Sequence, residues 1–408
     1  MEEWKEYKLI DVLEALIDYR GKTPKKVDSG IPLITAKIVK GGRINEPNEF
    51  LAEEDYDKWM VRGLPKPGDI VLTTEAPLGE VAQLDDRKIA LAQRIVTLRG
   101  KKNVLDNTYL KYYFLSNVGQ SRLKARETGT TVTGIKQSEL REVLVTCPPF
   151  VIQQKIANIL SSLDDKIEVN RRINEQLEEL AGALFKSWFV DFEPFKDGEF
   201  VDSELGMIPN GWKVGTLSDI GEVVGGATPS KSKSEYYTDN GISWITPKDL
   251  SINKDKFISK GEIDITELGY SKCSAKMMPR GSVLFSSRAP IGYIAIAKNE
   301  LCTNQGFKSV VPQLAGTAFI YYYLKNNVSN IESMASGSTF KEASGALMKS
   351  LNVIVPPSNI LQDFEEKVCS IFDKQESLEE EITHLTTLRD TLLPKLMSGE
   401  IDVNEVKI

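Results

Sequence analysis

The sequence predicts a mixed α/β (α+β) protein in which two similar globular blocks are separated by a long antiparallel two-helix coiled coil, with pseudo-twofold symmetry. Three observations lead to this fold class. The turn EAPLGEVA at residues 75–82 recurs as RAPIGYIA at residues 288–295. The stretches around the two turns match in the same order. Each matched block ends in paired prolines, followed by a long segment with the apolar spacing of an α-helix.

The repeat covers most of both blocks. WKEYKLIDV at Trp4 corresponds to WKVGTLSDI at Trp212, and GIPLITAK from Gly30 corresponds to GISWITPK from Gly241. RGKTPKK likewise matches GGATPSK, PKPGDIVLTTEAPLG matches MPRGSVLFSSRAPIG, and ETGTTVTG matches ASGSTFKE. Because chance does not produce so many matches in one order, we interpret the chain as an internal duplication.

The duplication divides the chain into four predicted segments. They are a first block over 1–150, a long helix over 151–193, a linker and second block over 194–357, and a second long helix over 358–408. Within each block, short β-rich runs such as IPLIT and DIVLTT lie between Gly and Pro turns. One aromatic helix is predicted in each block, over 109–117 and 319–326, with its tyrosines used for packing.

The two long helices carry heptad-like apolar stripes, which predict a coiled-coil seam, the set of residues that face a partner helix. Asn170 interrupts the first stripe and indicates a phase slip there, while Gln375 is a polar position in the second. We predict antiparallel pairing, although each helix docking on its own block is the alternative. The predicted seam residues are Ile156, Leu160, Leu163, Ile167, Ile173, Leu177, Leu180 and Leu184, then Val368, Ile371, Leu378, Ile382, Leu385, Leu388 and Leu392.

Charge and hydropathy narrow the class of protein. The net charge is −7, and the acidic excess lies in the two helical segments, whereas the blocks are nearly neutral. Either block therefore has enough basic residues to present a basic face to nucleic-acid phosphates. No apolar run approaches the roughly 20 residues that span a bilayer, and the charged N-terminus lacks a signal-peptide pattern. We expect a cytoplasmic protein.

Signatures of catalysis and metal binding are missing from the sequence. The four cysteines are scattered and His384 is the single histidine, so neither a metal site nor histidine-based catalysis is predicted. The sequence contains no phosphate-binding loop, dinucleotide fingerprint or nucleophile elbow. We therefore expect a binding protein rather than an enzyme, with no cofactor or metal in this chain.

Four stretches resemble a known family. ALFKSWFVDFEPF at 183–195 is similar to the central region of type I restriction–modification specificity subunits, and LRDTLLPKLMSGEIDV at 388–403 is similar to their C-terminal region. QQKIANILSSLDDKIE at 153–168 and the GTTVTGI loop also fit the family pattern. The resemblance covers the whole chain, including the order of block and helix.

The resemblance implies a role in a larger complex. Each block would be a target recognition domain for one half of an asymmetric bipartite duplex site. The helices would set the gap and carry two modification subunits, and two restriction subunits would complete the complex. S-adenosylmethionine, for methylation of adenine N6, and ATP with Mg would belong to those partners.

Candidate DNA contacts are polar or basic loop positions that have a counterpart in the other block. Ordinary solvated surface is the alternative for each of them. Arg288 is the first choice because its counterpart is Glu75, and arginine favours guanine whereas glutamate favours cytosine. The candidates are Lys22, Lys37, Thr73, Thr74, Arg94 and Lys136 in the first block, and Lys231, Lys248, Ser286, Ser287, Arg288 and Lys341 in the second.

The aromatic end of the first helix is either a partner anchor or a cap on the helix pair. It carries Phe185, Trp188, Phe189 and Phe192, residue types that dominate interface cores. The main functional alternative is a stand-alone tandem DNA-binding regulator. A self-contained methyltransferase or nuclease and a coiled-coil adaptor are further alternatives.

Overall fold

In the computed structural model, each long helix contributes to both of the units into which the chain divides. The structure describes residues 4–129, 133–288, 290–337 and 341–403. The first unit comprises Met1–Glu168 with Thr383–Ile408, and the second comprises Val169–Ile382. Each unit therefore contains one globular block and about half of each long helix.

The block of the first unit is built on two four-stranded sheets. The antiparallel sheet has the spatial order Leu13–Asp18, Ile95–Gly100, Ile70–Thr74 and Leu78–Gln83. The second sheet has the order Ala90–Leu91, Ile31–Ile34, Phe50–Leu51 and Lys26–Val27. Lys5–Lys8 pairs with Leu144–Cys147, and Val39–Lys40 with Arg43–Ile44. Its short helices are Leu9–Val12, Tyr56–Trp59, Asn107–Leu115, Asn117–Lys124 and Gln137–Arg141, with a 3₁₀ turn at Glu53–Asp55.

The block of the second unit repeats this plan with one larger sheet. Its five strands have the order Gly221–Gly225, Lys308–Pro312, Val283–Ser287, Ile291–Ala297 and Phe257–Ile258. Paired strands are Phe200–Ser203 with Gly206–Pro209, Lys213–Thr216 with Asn352–Val355, Tyr237–Thr238 with Asp264–Ile265, and Trp244–Ile245 with Cys302–Thr303. Helices are Leu217–Ile220, Pro247–Ile252, Glu267–Ser271, Thr317–Asn326, Val328–Met334 and Gly345–Lys349, with 3₁₀ turns at Glu193–Phe195 and Ser234–Tyr236.

The aromatic helix of each block shows the duplication at side-chain level. These helices occupy Asn107–Leu115 and Thr317–Asn326, close to the predicted ranges. The hydroxyl of Tyr113 donates to the carbonyl of Leu144 at 3.0 Å, and that of Tyr323 donates to the carbonyl of Asn352 at 2.8 Å. Both tyrosines are buried, so they pack and anchor strands as predicted.

The long helices run antiparallel to each other within each unit. They occupy Phe150–Phe189 and Ser358–Ser398. In the second unit, the amide of Asn174 donates to Glu379 at 3.4 Å, whereas the ring of Phe189 lies 4.8 Å from that of Phe364. Residue numbers rise along one helix as they fall along the other, which confirms the predicted antiparallel pairing.

From Ile156 to Ala181 the seam of the first helix keeps one heptad phase, so the predicted slip at Asn170 is wrong. Ile156, Leu160 and Ile167 are fully buried as predicted, and Leu163 is half-buried. Asn170 is itself 0% exposed, whereas Ile173 is 36% and Leu180 is 51% exposed. Alternating steps of four and three residues from Ile156 arrive at Asn170, which therefore faces the partner helix. Helix geometry, rather than side-chain polarity, sets which positions face the partner. Leu177 and Leu184 are half-buried, and Ala181 and Phe185 take the buried positions beyond Asn170.

The second helix follows its predicted stripe with one clear departure. Val368, Gln375 and Leu378 are buried, and Ile371, Ile382, Leu385 and Leu392 are half-buried. Leu388 is 38% exposed. The next residue, Arg389, binds Asp164 of the first helix at 2.8 Å. This ion pair lies within the first unit and accounts for the outward position of Leu388.

The corrected phase predicts unequal effects of two nearby substitutions. Leu180→Ala, on the exposed face, should change the free energy of unfolding by no more than about 0.5 kcal/mol. Phe185→Ala, at a buried position, should lower the free energy of unfolding by about 3–5 kcal/mol. Thermal and denaturant unfolding of both variants measure this difference. Equal destabilisation, or a larger loss for Leu180→Ala, would restore the phase read from the sequence.

Candidate nucleic-acid interface

A threonine–glutamine hydrogen bond occurs at the same corner of both blocks. The hydroxyl of Thr23 donates to Oε1 of Gln93 at 3.2 Å, and that of Thr228 donates to Oε1 of Gln305. Both bonds lie at the surface, and both join a Thr-Pro turn to the residues that follow a short parallel strand. The sequence analysis missed the glutamines, although AQR at 92–94 and NQG at 304–306 carry the signal.

Four candidate DNA contacts are buried inside the strands, which corrects their predicted role. Thr73, Thr74, Ser286 and Ser287 are at most 1% exposed. Oγ1 of Thr73 accepts from the amide of Glu80 at 2.9 Å, and Oγ of Ser286 accepts from the amide of Tyr293 at 2.7 Å. The hydroxyl of Ser287 donates to the carbonyl of Gly306 at 3.1 Å. These hydroxyls support the adjoining turns and have no surface with which to contact a base.

Each of these strands ends at an arginine–glutamate ion pair. In the first unit the residue directly after the strand is the glutamate, and in the second unit it is the arginine. Nε of Arg94 lies 3.0 Å from Glu75 in the first unit, and Arg288 lies 3.7 Å from Glu342 in the second. Glu75 and Arg288 are the matched positions. All four side chains are between 37% and 52% exposed, so the pairs are solvated and exchange partners at little cost.

The candidate lysines fall into two groups. Lys37 lies 3.7 Å from Glu49, Lys248 is paired with Glu262, and Nζ of Lys341 lies 3.5 Å from the carbonyl of Glu332. In the other group the side chains are exposed, and the contacts described for the chain give them no ion pair. Its members are Lys22, Lys136 and Lys231, together with Lys25, which the sequence analysis did not select.

Two of the lysines border a cleft of the second unit. The cleft has a volume of about 480 Å³, and Lys231 and Lys248 line it together with Tyr237, Trp244 and Gln305. Basic, amide and aromatic side chains meet in this cleft. Parts of the predicted GTTVTG and ASGSTFKE loops, and Ala289 of the repeated turn, lie outside the described residues.

The aromatic end of the first helix packs into the core of the second unit. Phe185 and Phe189 are buried, with ring centroids 5.5 Å and 4.9 Å from that of Phe319. Trp188 and Phe192 are half-buried against the same cluster. Capping of the helix pair therefore explains Phe185 and Phe189, while a partner contact through Trp188 or Phe192 stays a prediction.

A buried charged network joins the second block to the helix pair. The ammonium of Lys256 is paired with Glu178 and donates to Oε1 of Gln375 at 2.7 Å. Glu379 accepts from the backbone amides of Lys256 and Phe257 at 2.8 and 3.1 Å. The network fixes the register between the block and both helices of the second unit.

Burial and charge pairing shift the pKa values of this network. Burial raises the pKa of Glu379 to about 7, although the two backbone amides oppose this shift. Burial also lowers the pKa of Lys256 to about 8. For Glu178 burial acts to raise the pKa, but Lys256 and Lys325 outweigh it and hold the value at about 2. Perturbed values often mark functional sites, but here the charges satisfy one another.

Two buried cysteine thiols lie outside this network. Burial raises the pKa values of the Cys147 and Cys302 thiols to about 12, so neither thiol is activated. Across residues 4–129, 133–288, 290–337 and 341–403, no group of histidine, cysteine and acidic side chains is arranged to hold a metal ion. None of the helices found there has the length and apolarity required to cross a bilayer.

Comparison with known proteins identifies one family. The model of the type I restriction modification DNA specificity domain matches the chain twice, at residues 1–179 and 209–387. The MjaIX type I restriction enzyme specificity subunit of Methanocaldococcus jannaschii is 31% identical, over 99% of this chain and 95% of that protein. The HindI specificity subunit of Haemophilus influenzae is 27% identical, over 98% of this chain and all (100%) of that protein.

A solved structure shows the same fold. The S subunit of the type I restriction–modification system from M. genitalium aligns with a TM-score of 0.63 at 18% identity, covering 97% of this chain and 96% of that one. The mixed fold with its long central helix is therefore the fold of that subunit, in agreement with the fold class predicted from the sequence.

The raised pKa of Glu379 predicts a pH-dependent stability. Between its ordinary value of 4.5 and its folded value of about 7, the folded state binds more protons than the unfolded state. Stability therefore falls as pH rises through this window. In thermal unfolding measured from pH 4.5 to 8, the stability of Glu379→Gln should fall less steeply with rising pH than that of the parent chain.

Glu380→Gln provides a matched control, because this neighbouring carboxylate is 62% exposed. It should retain the pH dependence of the parent chain. Identical slopes for the parent and Glu379→Gln would show that Glu379 does not titrate in this window.

Proposed function

Because this chain belongs to the family of type I restriction modification DNA specificity domains, we propose that it selects the DNA sequence for a type I restriction–modification complex. The chain itself is the non-catalytic recognition subunit. Duplex DNA and other subunits of the complex are its partners.

The observation that carries the proposal is the presence of two family matches in one duplicated chain, with a different surface on each copy. Both copies keep the threonine–glutamine bond. At the adjoining corner, however, one copy has Glu75 and the other has Arg288. Two similar but unequal readers suit an asymmetric bipartite site, with one half-site for each unit.

Within each unit, the proposed DNA contacts are of two kinds, contacts to phosphates and contacts to base edges. Exposed lysines that have no ion partner among the described residues, such as Lys22 and Lys136 in the first unit, would contact phosphates and set affinity. The exchanged arginine–glutamate corners would reach base edges and set sequence preference. Arg94 and Arg288 can leave their glutamates for a guanine, since these solvated ion pairs contribute little to stability.

The helix pair provides the spacer and the docking surface for partners in this proposal. Each helix of about 40 residues is about 60 Å long at 1.5 Å per residue. Two modification subunits would supply S-adenosylmethionine and methylate adenine N6. Two restriction subunits would supply ATP- and Mg-dependent cleavage. Trp188 and Phe192 are the candidate anchors for such a partner.

The proposal is tested by expressing the chain with its modification subunits and mapping the methylated sites in the host DNA. One asymmetric motif with two half-sites and a fixed gap is expected. The main alternative is a tandem regulator that works alone. Tight, sequence-specific binding by the isolated chain, with no response to added modification subunits, would favour that regulator and contradict the proposal.

The exchanged corners predict a division of effects between the half-sites. In the complex, Arg288→Ala should relax selection by about 1–3 kcal/mol per affected base pair, and only in the half-site read by the second unit. Arg94→Ala is the matched control and should affect only the other half-site. Methylation mapping measures both. A uniform loss of methylation at all sequences would assign Arg288 to phosphate contact or to folding.

A further inference from the structure

The cleft of the second unit lies at a place where the two blocks differ. In the first unit Leu33 pairs with Ala90, and in the second Trp244 pairs with Cys302. These two parallel strand pairs are equivalent, because each leads into the glutamine that binds the shared threonine. Trp244 therefore occupies the place of Leu33.

An extra loop borders the same cleft. Lys26 pairs with Leu51 in the first unit, and Tyr237 pairs with Ile265 in the second. Counted from the shared threonine, residues 229–236 of the second unit stand where the first unit has only residues 24 and 25. This loop brings Lys231 to the cleft.

Backbone carbonyls on either side of the shared threonine satisfy the polar ends of the aromatic residues. Nε1 of Trp244 donates to the carbonyl of Ala227 at 2.9 Å, and the hydroxyl of Tyr237 donates to the carbonyl of Pro229 at 2.7 Å. The two rings lie 5.9 Å apart in an edge-to-face arrangement. With their polar atoms occupied, these side chains offer apolar ring surface to the cleft that they line.

The amide side chains of the rim have donors to spare. Oδ1 of Asn304 accepts from the amide of Gly306 at 2.8 Å, and Oε1 of Gln305 accepts from the hydroxyl of Thr228. No acceptor for the NH₂ group of either side chain is found in the described part of the chain. These donors suit the nitrogen and oxygen acceptors on the edge of a nucleobase.

From these features we propose that the second unit takes one unstacked base of the bound DNA into this cleft. The base would lie against Trp244 and Tyr237, with its edge toward Asn304 and Gln305 and its phosphate toward Lys231. The inference rests on the proposed function. A volume of about 480 Å³ lies within the range of small-ligand sites, and a base must leave the stack to enter one. The second half-site would then be read partly through an unpaired base.

The test uses the complex with its modification subunits and a set of duplexes that contain its mapped site. In each duplex one base of the second half-site is replaced by an abasic residue. Removing the pairing partner of the captured base lowers the cost of unstacking. Binding to that one duplex should therefore tighten by about tenfold or more. Methyltransferases also unstack the base that they modify, so the positions opposite the methylated adenines are left out of the comparison. Elsewhere in the first half-site, read by the unit with Leu33, the same replacements should not tighten binding.

Two variants connect this effect to the cleft. Trp244→Leu installs the residue type of the first unit and should abolish the tightening. Lys231→Ala, on the exposed loop, cannot disturb a core and should weaken binding severalfold at intact sites. A matched substitution, Lys25→Ala in the first unit, should leave the abasic effect intact.

The outcomes separate the two proposals. Specific binding with no tightening at any position of the second half-site would overturn the inference and leave the proposed function standing. Tightening that persists in Trp244→Leu and Lys231→Ala would overturn it as well. Quenching of tryptophan fluorescence by free mononucleotides that duplex DNA does not displace would assign the cleft to a soluble ligand and overturn it. A complex with no sequence preference would contradict the proposed function itself.

Discussion

Each globular block depends on both long helices for a complete core. In the first unit, Ile156 and Leu160 of one helix and Leu396 and Met397 of the other belong to the same buried cluster as the sheet and the tyrosine helix. The second unit combines Phe185 and Phe189 with Leu361, Phe364 and Phe372 in the same way. Burial of apolar surface contributes about 25 cal/mol per Å². Neither block can therefore fold fully without both helices, and within each unit helix pairing and block folding are coupled.

Polar residues determine how the helices of the second unit pair. Asn170 is 0% exposed, and none of the described residues provides a hydrogen-bonding partner for its side-chain atoms, which costs stability. Buried ion pairs such as that of Lys256 with Glu178 add little net stability, because desolvation offsets the attraction. The ion-pair network favours one register over its alternatives, since Lys256 meets Glu178 and Gln375 together only when the block and both helices are aligned.

Sequence reasoning predicted the features that depend on periodicity and repetition. The duplication, the long antiparallel helices, the tyrosine helices and the polar position Gln375 all follow from spacing. Sequence reasoning failed where two apolar stripes share one helix. Ile173 and Leu180 fit a heptad spacing as well as the buried residues Ala181 and Phe185 do. Only packing against the core of the block decides which stripe is buried. Ser286 and Ser287 were misplaced because a short polar run at the end of a strand does not reveal whether a turn folds back over it. Gln93 and Gln305 were missed because they lie between the matched stretches, about ten residues after the repeated turn.

The candidate side chains for DNA contact share one constraint, which is that most of them are buried or already paired. Four of the twelve candidate contacts are buried, and Lys37, Lys248, Arg94 and Arg288 already have carboxylate partners. A phosphate or a guanine must displace those carboxylates, so each such contact gains little net free energy and depends on correct geometry. Since the chain as a whole carries a net charge of −7, long-range attraction to DNA is weak. A surface of this kind discriminates between sequences better than it holds DNA. In the proposed function, exposed lysines such as Lys22 and Lys136 would therefore set affinity, and the paired side chains would set sequence preference.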